Sequence, residues 1–277
     1  MSTPTKGPAD SGKVNLYDNA YGNYAAEVYR QVRLETYGED FGQTSWVTTA
    51  ESSEIPELLK VRPDSHVLEL GFGSGGYALH LAKTVGCCLI GLDINVSGVH
   101  NANRLAAEME MSDRARFEQR DISANLSFRD NSFDAAFSND VLCHVPGRLK
   151  VLREMHRVLN AGGRILFSDA LVIGGMVSHE EIATRTSIGY YVFSPPGENE
   201  RLIHEAGFRL IGAVDTTENA ATIARRWHGA REKRRAALVD LEGEDNFESL
   251  QRFLSCVHTL TAERRLLRYL YVAERSS

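Results

Sequence analysis

The 277-residue sequence predicts a doubly wound α/β fold, in which helices cover both faces of a mostly parallel sheet. Two observations support this prediction. From about residue 66 onwards, short apolar runs typical of buried strands alternate with longer runs of helical spacing. A glycine-rich turn follows the first of these strands, which is where sheets of this kind bind a ligand.

The alternation is most regular between residues 66 and 168. The alternation predicts five short strands, at His66–Leu70, Cys87–Asp93, Ala115–Gln119, Phe133–Ser138 and Arg164–Ser168. Helices are predicted between them at about residues 75–85, 97–111 and 149–159. The remainder is less regular and predicts a helix at 195–204, a strand at 208–214, two charged helices within 218–262 and a last strand at 265–274.

The chain divides into three parts by composition. Residues 1–13 are small and polar, which predicts a disordered tail. Residues 14–60 contain helical segments rich in aromatics, and we expect them to form a helical lid. Residues 61–277 form the main domain, with insertions at about 170–195 and 216–262 that would shape a substrate pocket.

Charge and composition narrow the classes of partner. The net charge of −6 argues against a nucleic-acid partner, since phosphate binding usually leaves a basic surplus. No apolar run approaches the length needed to cross a bilayer, and the polar N-terminal residues lack a secretory core, so we expect a cytoplasmic protein without a membrane partner. The four cysteines lack metal-ligand spacing, so neither zinc nor a disulfide is expected.

The strongest local pattern is the glycine-rich segment Glu69–Gly76, between the first strand and the first helix. Glycines there let the backbone turn sharply and approach a bound ligand closely. The spacing of Gly71, Gly73 and Gly76 also satisfies the fingerprint of dinucleotide-binding domains. The loop alone therefore predicts a nucleotide-type cofactor without distinguishing a nicotinamide from S-adenosylmethionine.

Acidic residues stand at the carboxyl ends of three successive predicted strands. Glu69 suits a ligand that carries an ammonium or a sulfonium, whereas it would repel a pyrophosphate. Asp93 can accept hydrogen bonds from both ribose hydroxyls of either cofactor. Asp121 can accept from an adenine amino group. Each acid alone could be a helix cap or a solvated turn, but the three together after a glycine loop indicate S-adenosylmethionine.

With these residues in place, the stretch from His66 to Asp169 resembles the class I S-adenosylmethionine-dependent methyltransferases. Glu69–Gly76 resembles the cofactor loop of that family, and Asp93 and Asp121 resemble its ribose and adenine acids. The later segments DNSFD and VLNAGGR resemble the family's turns before the fourth and fifth strands, with Asn-Ala where Lys-Pro is usual. The resemblance implies a Rossmann-like methyltransferase fold with a seven-stranded sheet whose last strand is antiparallel. It also implies S-adenosyl-L-methionine as cofactor and S-adenosyl-L-homocysteine as product.

A narrower resemblance is to the small-amine N-methyltransferases, such as the phosphoethanolamine and sarcosine/dimethylglycine enzymes. It rests on the segment SNDVLCH, which ends at His144, and on the tyrosine-containing run that begins at Tyr21. In the phosphoethanolamine enzymes a tyrosine of the N-terminal helix pairs with a histidine after the fourth strand, which implies a Tyr21–His144 pair here. Ala170 replaces another aromatic of that family, so the acceptor stays open.

Three residues are candidates for catalysis. His144 follows the fourth strand at the ligand-binding edge, where a histidine is a natural base for a hydroxyl, or it orients the loop before Pro146. Asp140 supports His144, holds a ligand, or is an ordinary loop acid. Tyr21 orients the acceptor or packs a lid.

The other candidates form two groups. The predicted cofactor-binding residues are Glu69, Gly71, Phe72, Gly73, Gly75, Asp93, Ile94, Asp121, Ile122 and Asn139. The predicted substrate-pocket residues are the aromatics Tyr190, Tyr191 and Trp46, which could cradle a cation through cation–π contacts or pack in the core. No metal ligand is predicted.

The favoured function is methyl transfer to the nitrogen of a small amine, and the alternative is O-methylation of a natural-product hydroxyl or a quinone. A small pocket lined by aromatics and acids between Tyr21, His144 and Tyr191 would favour the amine, and a long apolar one the hydroxyl. A non-catalytic cofactor-binding protein is disfavoured because acceptor-side polar groups are retained. A nicotinamide oxidoreductase is disfavoured because Asp121 would have no task. The oligomeric state is left open.

Overall fold

The computed structural model describes residues 14–276, so the tail predicted at residues 1–13 lies outside the described residues. Within that range one seven-stranded sheet forms, in the order β3-β2-β1-β4-β5-β7-β6. Its strands are β1 His66–Leu70, β2 Cys88–Asp93, β3 Ala115–Gln119, β4 Phe133–Ser138, β5 Leu159–Ile173, β6 Phe208–Asp215 and β7 Leu266–Arg275. Strands β1 to β5 pair in parallel, and β7 runs antiparallel to both β5 and β6. The predicted fold class is confirmed.

Helices surround the sheet. The N-terminal region holds α1 Leu16–Gly22, α2 Glu27–Tyr37 and α3 Thr49–Leu58. The helices α4 Gly76–Val85, α5 Val96–Glu108 and α6 Arg148–Val158 connect successive parallel strands. The later helices are α7 His179–Arg185, α8 Glu198–Glu205, α9 Thr217–Glu232, α10 Arg235–Glu242 and α11 Glu244–Ala262.

The two faces of the sheet bury different residues because successive side chains of a strand point to opposite sides. On β1, Leu68 and Leu70 pack in the cluster that includes α6 and α8, whereas Val67 packs in the cluster that includes α4 and α5. A third cluster joins α1 and α2 to α9 and α11. This third layer brings the N-terminal region next to the segment that follows β6.

Two element predictions were wrong in extent. The fifth strand was predicted at residues 164–168, but β5 extends to both sides because β4 continues its pairing back to Leu159 and β7 continues it forward to Ile173. The region 218–262 holds three helices, not two, because Gly243 has φ +80° and separates α10 from α11. Within residues 14–276, no helix is both long and apolar enough to cross a bilayer.

Candidate active site

A cavity of about 870 Å³ opens beyond the carboxyl ends of β1, β2 and β4. This lies toward the upper end of the range of ligand pockets, about 300–1,000 Å³, so a nucleoside-sized ligand leaves room for a second molecule. One wall consists of residues that follow the strands. The other wall comes from α1, from residues 41–49 and from residues 188–190.

The glycine loop forms part of the first wall of the cavity. Gly71 has φ +79°, and a Cβ there would lie 2.3 Å from Cγ2 of Val141. Gly73 has φ +61°, and its N–H donates to Oδ2 of Asp93 at 2.8 Å. The positive φ favours glycine at both positions, and at Gly71 the lack of space for a Cβ also requires it. Phe72 lines the cavity between them.

Gly75 has a different role from the one predicted. It is not among the residues that line the cavity. Its φ is +77°, and a Cβ there would lie 2.5 Å from the Cβ of Ala102. Gly75 is therefore required for the close packing of α4 against α5.

Glu69, just before the glycine loop, is buried and lines the cavity. Its Oε2 has no hydrogen-bond partner among the described residues. Burial, and secondarily the charge of Asp93, raise the pKa of this carboxyl from 4.5 to about 8. Asn139 also has a buried oxygen, Oδ1, without a donor. Two unsatisfied acceptors beside a cavity fit a ligand that brings a cationic group with N–H donors.

Asp93 and Asp121 lie at the ends of neighbouring strands and both line the cavity. Burial raises the pKa of Asp93, while hydrogen bonds from the N–H groups of Asn95 (2.9 Å) and Gly73 (2.8 Å) oppose this change. Asp121 is exposed, and its Oδ1 accepts from the N–H of Ser123 at 2.8 Å. The predicted apolar residues Ile94 and Ile122 complete this part of the lining.

His144 ends a short 3₁₀ helix, Leu142–His144, that follows β4. Its Nδ1 lies 3.1 Å from the carbonyl oxygen of Tyr190, and its Nε2 lies 3.0 Å from the hydroxyl of Tyr17. A carbonyl oxygen only accepts, so Nδ1 carries the proton. Burial lowers the pKa of His144 to about 4, so the ring is neutral and the Tyr17 hydroxyl donates to the bare Nε2.

The predicted partner of His144 is therefore corrected from Tyr21 to Tyr17. Tyr21 stands one helical turn further along α1, with its ring 6.1 Å from that of Tyr17. Its hydroxyl is 2.7 Å from Oγ1 of Thr44, and it lies against Gly73 of the glycine loop. Tyr21 thus belongs to the cofactor side of the cavity.

Asp140 lines the cavity, but its carboxylate is fully engaged in the fold. Oδ1 accepts from Nε of Arg268 at 2.8 Å and from Oγ of Ser168 at 3.0 Å. Oδ2 accepts from the N–H of Trp46 at 2.8 Å and from a second nitrogen of Arg268 at 3.3 Å. With four donors on two oxygens, Asp140 has no free lone pair to support His144, contrary to the prediction.

The three aromatic residues predicted to line the substrate pocket lie in different environments. Tyr190 lines the cavity and is 57% exposed. Tyr191 stands beside His144, with ring centroids 4.3 Å apart, and does not itself line the cavity. Trp46 is buried in the third cluster against Trp227 and Phe253, so its placement in the substrate pocket was wrong.

Several cavity residues were not identified from the sequence. Tyr17 lies in the expected helix and could have been found from the helical repeat, since it is four residues from Tyr21. Nothing in the sequence marked Thr44 or Ile188, which reach the cavity through irregular segments. Across the described residues, no cluster of His, Cys, Asp or Glu side chains is arranged to hold a metal ion.

Comparison with known proteins gives one matching family model. Residues 68–167 match the methyltransferase domain. The chain is 28% identical over 261 residues to 27-O-demethylrifamycin SV methyltransferase of Amycolatopsis mediterranei (strain S699), covering 91% of this chain and 93% of that protein. It is 25% identical over 220 residues to phosphoethanolamine N-methyltransferase of Triticum aestivum, covering 77% of this chain and 41% of that protein.

A solved structure of similar fold is phosphoethanolamine N-methyltransferase 2 of Haemonchus contortus, in complex with phosphomonomethylethanolamine and S-adenosylhomocysteine. It superposes with a TM-score of 0.78 and 18% sequence identity. The superposition covers 98% of this chain and 61% of the other. At this identity the likeness concerns the fold.

Proposed function

We propose that this chain, which is an S-adenosylmethionine-dependent methyltransferase, methylates a hydroxyl oxygen of a largely apolar molecule. The observation that carries the proposal is the neutral imidazole of His144. Its Nδ1–H donates to the Tyr190 carbonyl, and its unprotonated Nε2 is a hydrogen-bond acceptor at the cavity, where it holds the Tyr17 hydroxyl. A hydroxyl needs such an acceptor when it attacks, because it must lose its proton.

The residues of the glycine loop and the strand ends fit the cofactor. When bound, S-adenosylmethionine supplies a methyl group on a positively charged sulfur. Glu69 and Asn139 would accept from its ammonium group, since both have a buried oxygen without a donor. Asp93 would accept from the ribose hydroxyls and Asp121 from the adenine amino group.

The proton moves along a short path. The acceptor hydroxyl would replace the Tyr17 hydroxyl at Nε2 of His144, or donate to it through Tyr17. Methylation of the oxygen would require the loss of its proton, which His144 would take on Nε2 and hold as a transient imidazolium.

The walls near His144 favour an apolar acceptor. Val14, Leu16, Val145, Ile188 and Tyr190 line this part of the cavity. The carboxylate of Asp140 is engaged by Arg268. The size and apolar character of the cavity support the hydroxyl alternative over the small amine that the sequence favoured.

An amine acceptor remains the second candidate, because the phosphoethanolamine N-methyltransferases resemble this chain in sequence over about three-quarters of its length. An alkylamine is protonated near neutral pH, and a site for it needs a free carboxylate or a base able to remove that proton. A neutral His144 imidazole supplies no negative charge to hold an ammonium group.

The acceptor class is tested by following release of S-adenosylhomocysteine with matched pairs of ring compounds that differ only in carrying a hydroxyl or an amino group. We expect turnover with hydroxyl members and little with amino members. Preference for the amino members throughout would contradict the proposal and restore the amine hypothesis.

The role of His144 is tested with His144→Gln, which keeps a polar side chain of similar size without a base. We expect turnover to fall by about 10²–10⁴-fold, while the affinity for S-adenosylmethionine changes little. Tyr17→Phe and Tyr21→Phe form a matched pair on one helix. The first should reduce turnover, and the second should act mainly on cofactor affinity. The reverse pattern would contradict the assignment of Tyr17.

A further inference from the structure

Arg185, the last residue of α7, is a buried cation without an anionic partner. Its side chain is 1% exposed, and Nη1 has no hydrogen-bond partner among residues 14–276. No carboxylate in that part of the chain lies within ion-pair distance of it. Other buried arginines are each paired with an acid: Arg148 with Asp169, Arg231 with Glu242, and Arg268 with Asp140 and Glu51.

Aromatic rings take the place of a carboxylate around Arg185. The guanidinium carbon lies 4.5 Å from the ring centroid of Tyr191, 5.2 Å from that of Phe253 and 5.8 Å from that of Trp46. We call these three rings the aromatic cage. Cation–π attraction offsets part of the cost of burying the guanidinium but leaves its positive charge uncancelled.

The aromatic cage links this charge to the catalytic histidine. The ring centroid of Tyr191 lies 4.5 Å from the guanidinium carbon of Arg185 and 4.3 Å from the centroid of the His144 imidazole. The two distances place the guanidinium carbon within about 9 Å of the imidazole centroid. At that separation, in a medium of effective dielectric constant about 20, unit charges change proton affinity by roughly ten- to thirtyfold.

The other titratable groups around His144 do not cancel this effect. Asp140, which follows β4, and Asp169, within β5, are the acids near it, but each forms an ion pair with a buried arginine. The Tyr17 hydroxyl, the Tyr191 hydroxyl and the Cys143 thiol stay neutral, because burial raises their pKa values. Arg185 is therefore the unpaired charge on this side of the site, within the described residues.

We propose that Arg185 is a positioning residue that gives the acceptor half of the cavity a fixed positive potential. This potential lowers the proton affinity of His144 below the value that burial alone would give it. It also favours neutral or ionised hydroxyls, such as phenols and enols, over ammonium groups. The preference among acceptors rests on the proposed function, whereas the effect on His144 does not.

The direct test is the titration of His144, followed by NMR in the unliganded protein and assigned by the loss of its signal in His144→Gln. In Arg185→Met, which keeps the length of the side chain without the charge, the pKa of His144 should rise by about 1–1.5 pH units. In Arg185→Lys, which keeps the charge, it should stay within a few tenths of the wild-type value. An unchanged pKa in Arg185→Met would overturn the proposal.

A control separates charge from packing. Phe253→Leu removes one ring of the aromatic cage but no charge, so the pKa of His144 should not change. An equal rise in Phe253→Leu and Arg185→Met would attribute the effect to packing and contradict the proposal. If Arg185→Met does not yield folded protein, Arg185→Gln provides the same removal of charge with a polar side chain.

The effect of Arg185 on the titration of His144 does not depend on which acceptor is methylated. A screen in which amines alone react would refute hydroxyl methylation and the proposed preference, but would leave the titration of His144 as measured. A titration in which Arg185 has no influence would refute the role of Arg185, even if hydroxyl compounds are methylated.

Discussion

Replacing Glu69 by glutamine tests the electrostatics of the cofactor site. The carboxyl is 4% exposed, and its pKa is raised from 4.5 to about 8. A carboxyl whose pKa is higher in the folded than in the unfolded chain stabilises the fold below pH 4.5, and this stabilisation is lost as the pH rises toward 8. At 1.36 kcal/mol for each tenfold difference in proton affinity, the full loss is about 3–5 kcal/mol.

Glu69→Gln keeps the shape of the side chain and removes this titration. Between pH 5 and pH 8.5 the free energy of unfolding of the unliganded variant should therefore exceed that of the wild type by a growing margin, up to about 3–5 kcal/mol. Denaturant unfolding at a series of pH values measures it. Parallel curves for the two proteins would refute the assignment of a raised pKa to Glu69.

The same residue predicts proton release on cofactor binding. At pH 7 a carboxyl of pKa about 8 is mostly protonated, and an ammonium group beside it would lower that pKa well below 7. Calorimetry in buffers of different ionisation enthalpy should thus detect release of most of one proton per S-adenosylmethionine bound by the wild type, and almost none by Glu69→Gln. Equal release by both would place the titrating group elsewhere.

Further substitutions test the neighbouring acids. Asp93→Ala should weaken binding of S-adenosylmethionine by about 1–3 kcal/mol in calorimetry, because ribose hydroxyls lose their acceptor, and an unchanged affinity would remove Asp93 from the site. Asp121→Asn should weaken S-adenosylmethionine far more than an inosine analogue in competition binding, and equal losses would mean that Asp121 acts structurally. Asp140→Ala should lower the free energy of unfolding by about 3–5 kcal/mol, because Arg268 keeps a buried charge with one partner fewer, and a loss below about 1 kcal/mol would contradict this role.

The sheet and the cofactor half could be predicted because both depend on local sequence. The strands β1, β3 and β4 begin and end at the predicted residues. Since the carboxyl ends of parallel strands meet at one edge, the acids at those ends had to come together. Glu69, Asp93 and Asp121 do line one cavity.

The acceptor half depends on contacts between distant segments, which local patterns do not specify. Asp140 reads as a free loop acid until β7 brings Arg268 beside it, 128 residues later in the chain. Trp46 reads as a pocket aromatic until α9 and α11 bury it against Trp227 and Phe253. No sequence pattern marked Arg185, because what distinguishes it is that its neighbours in the fold are aromatic rings and not an acid.

Tyr17, and not the predicted Tyr21, contacts His144, although the two tyrosines lie close together. The residues are four apart on α1, so they lie on one face of the helix, and both hydroxyls point toward the same cavity. A shift of one turn, about 5.4 Å, decides which of them meets His144 and which meets Thr44 beside the glycine loop. Sequence pattern fixes the face but not this displacement along the axis, which depends on how α1 packs against α9 and α5. The sequence predicted that a tyrosine on this face of α1 contacts His144. The structure was needed to show which tyrosine it is.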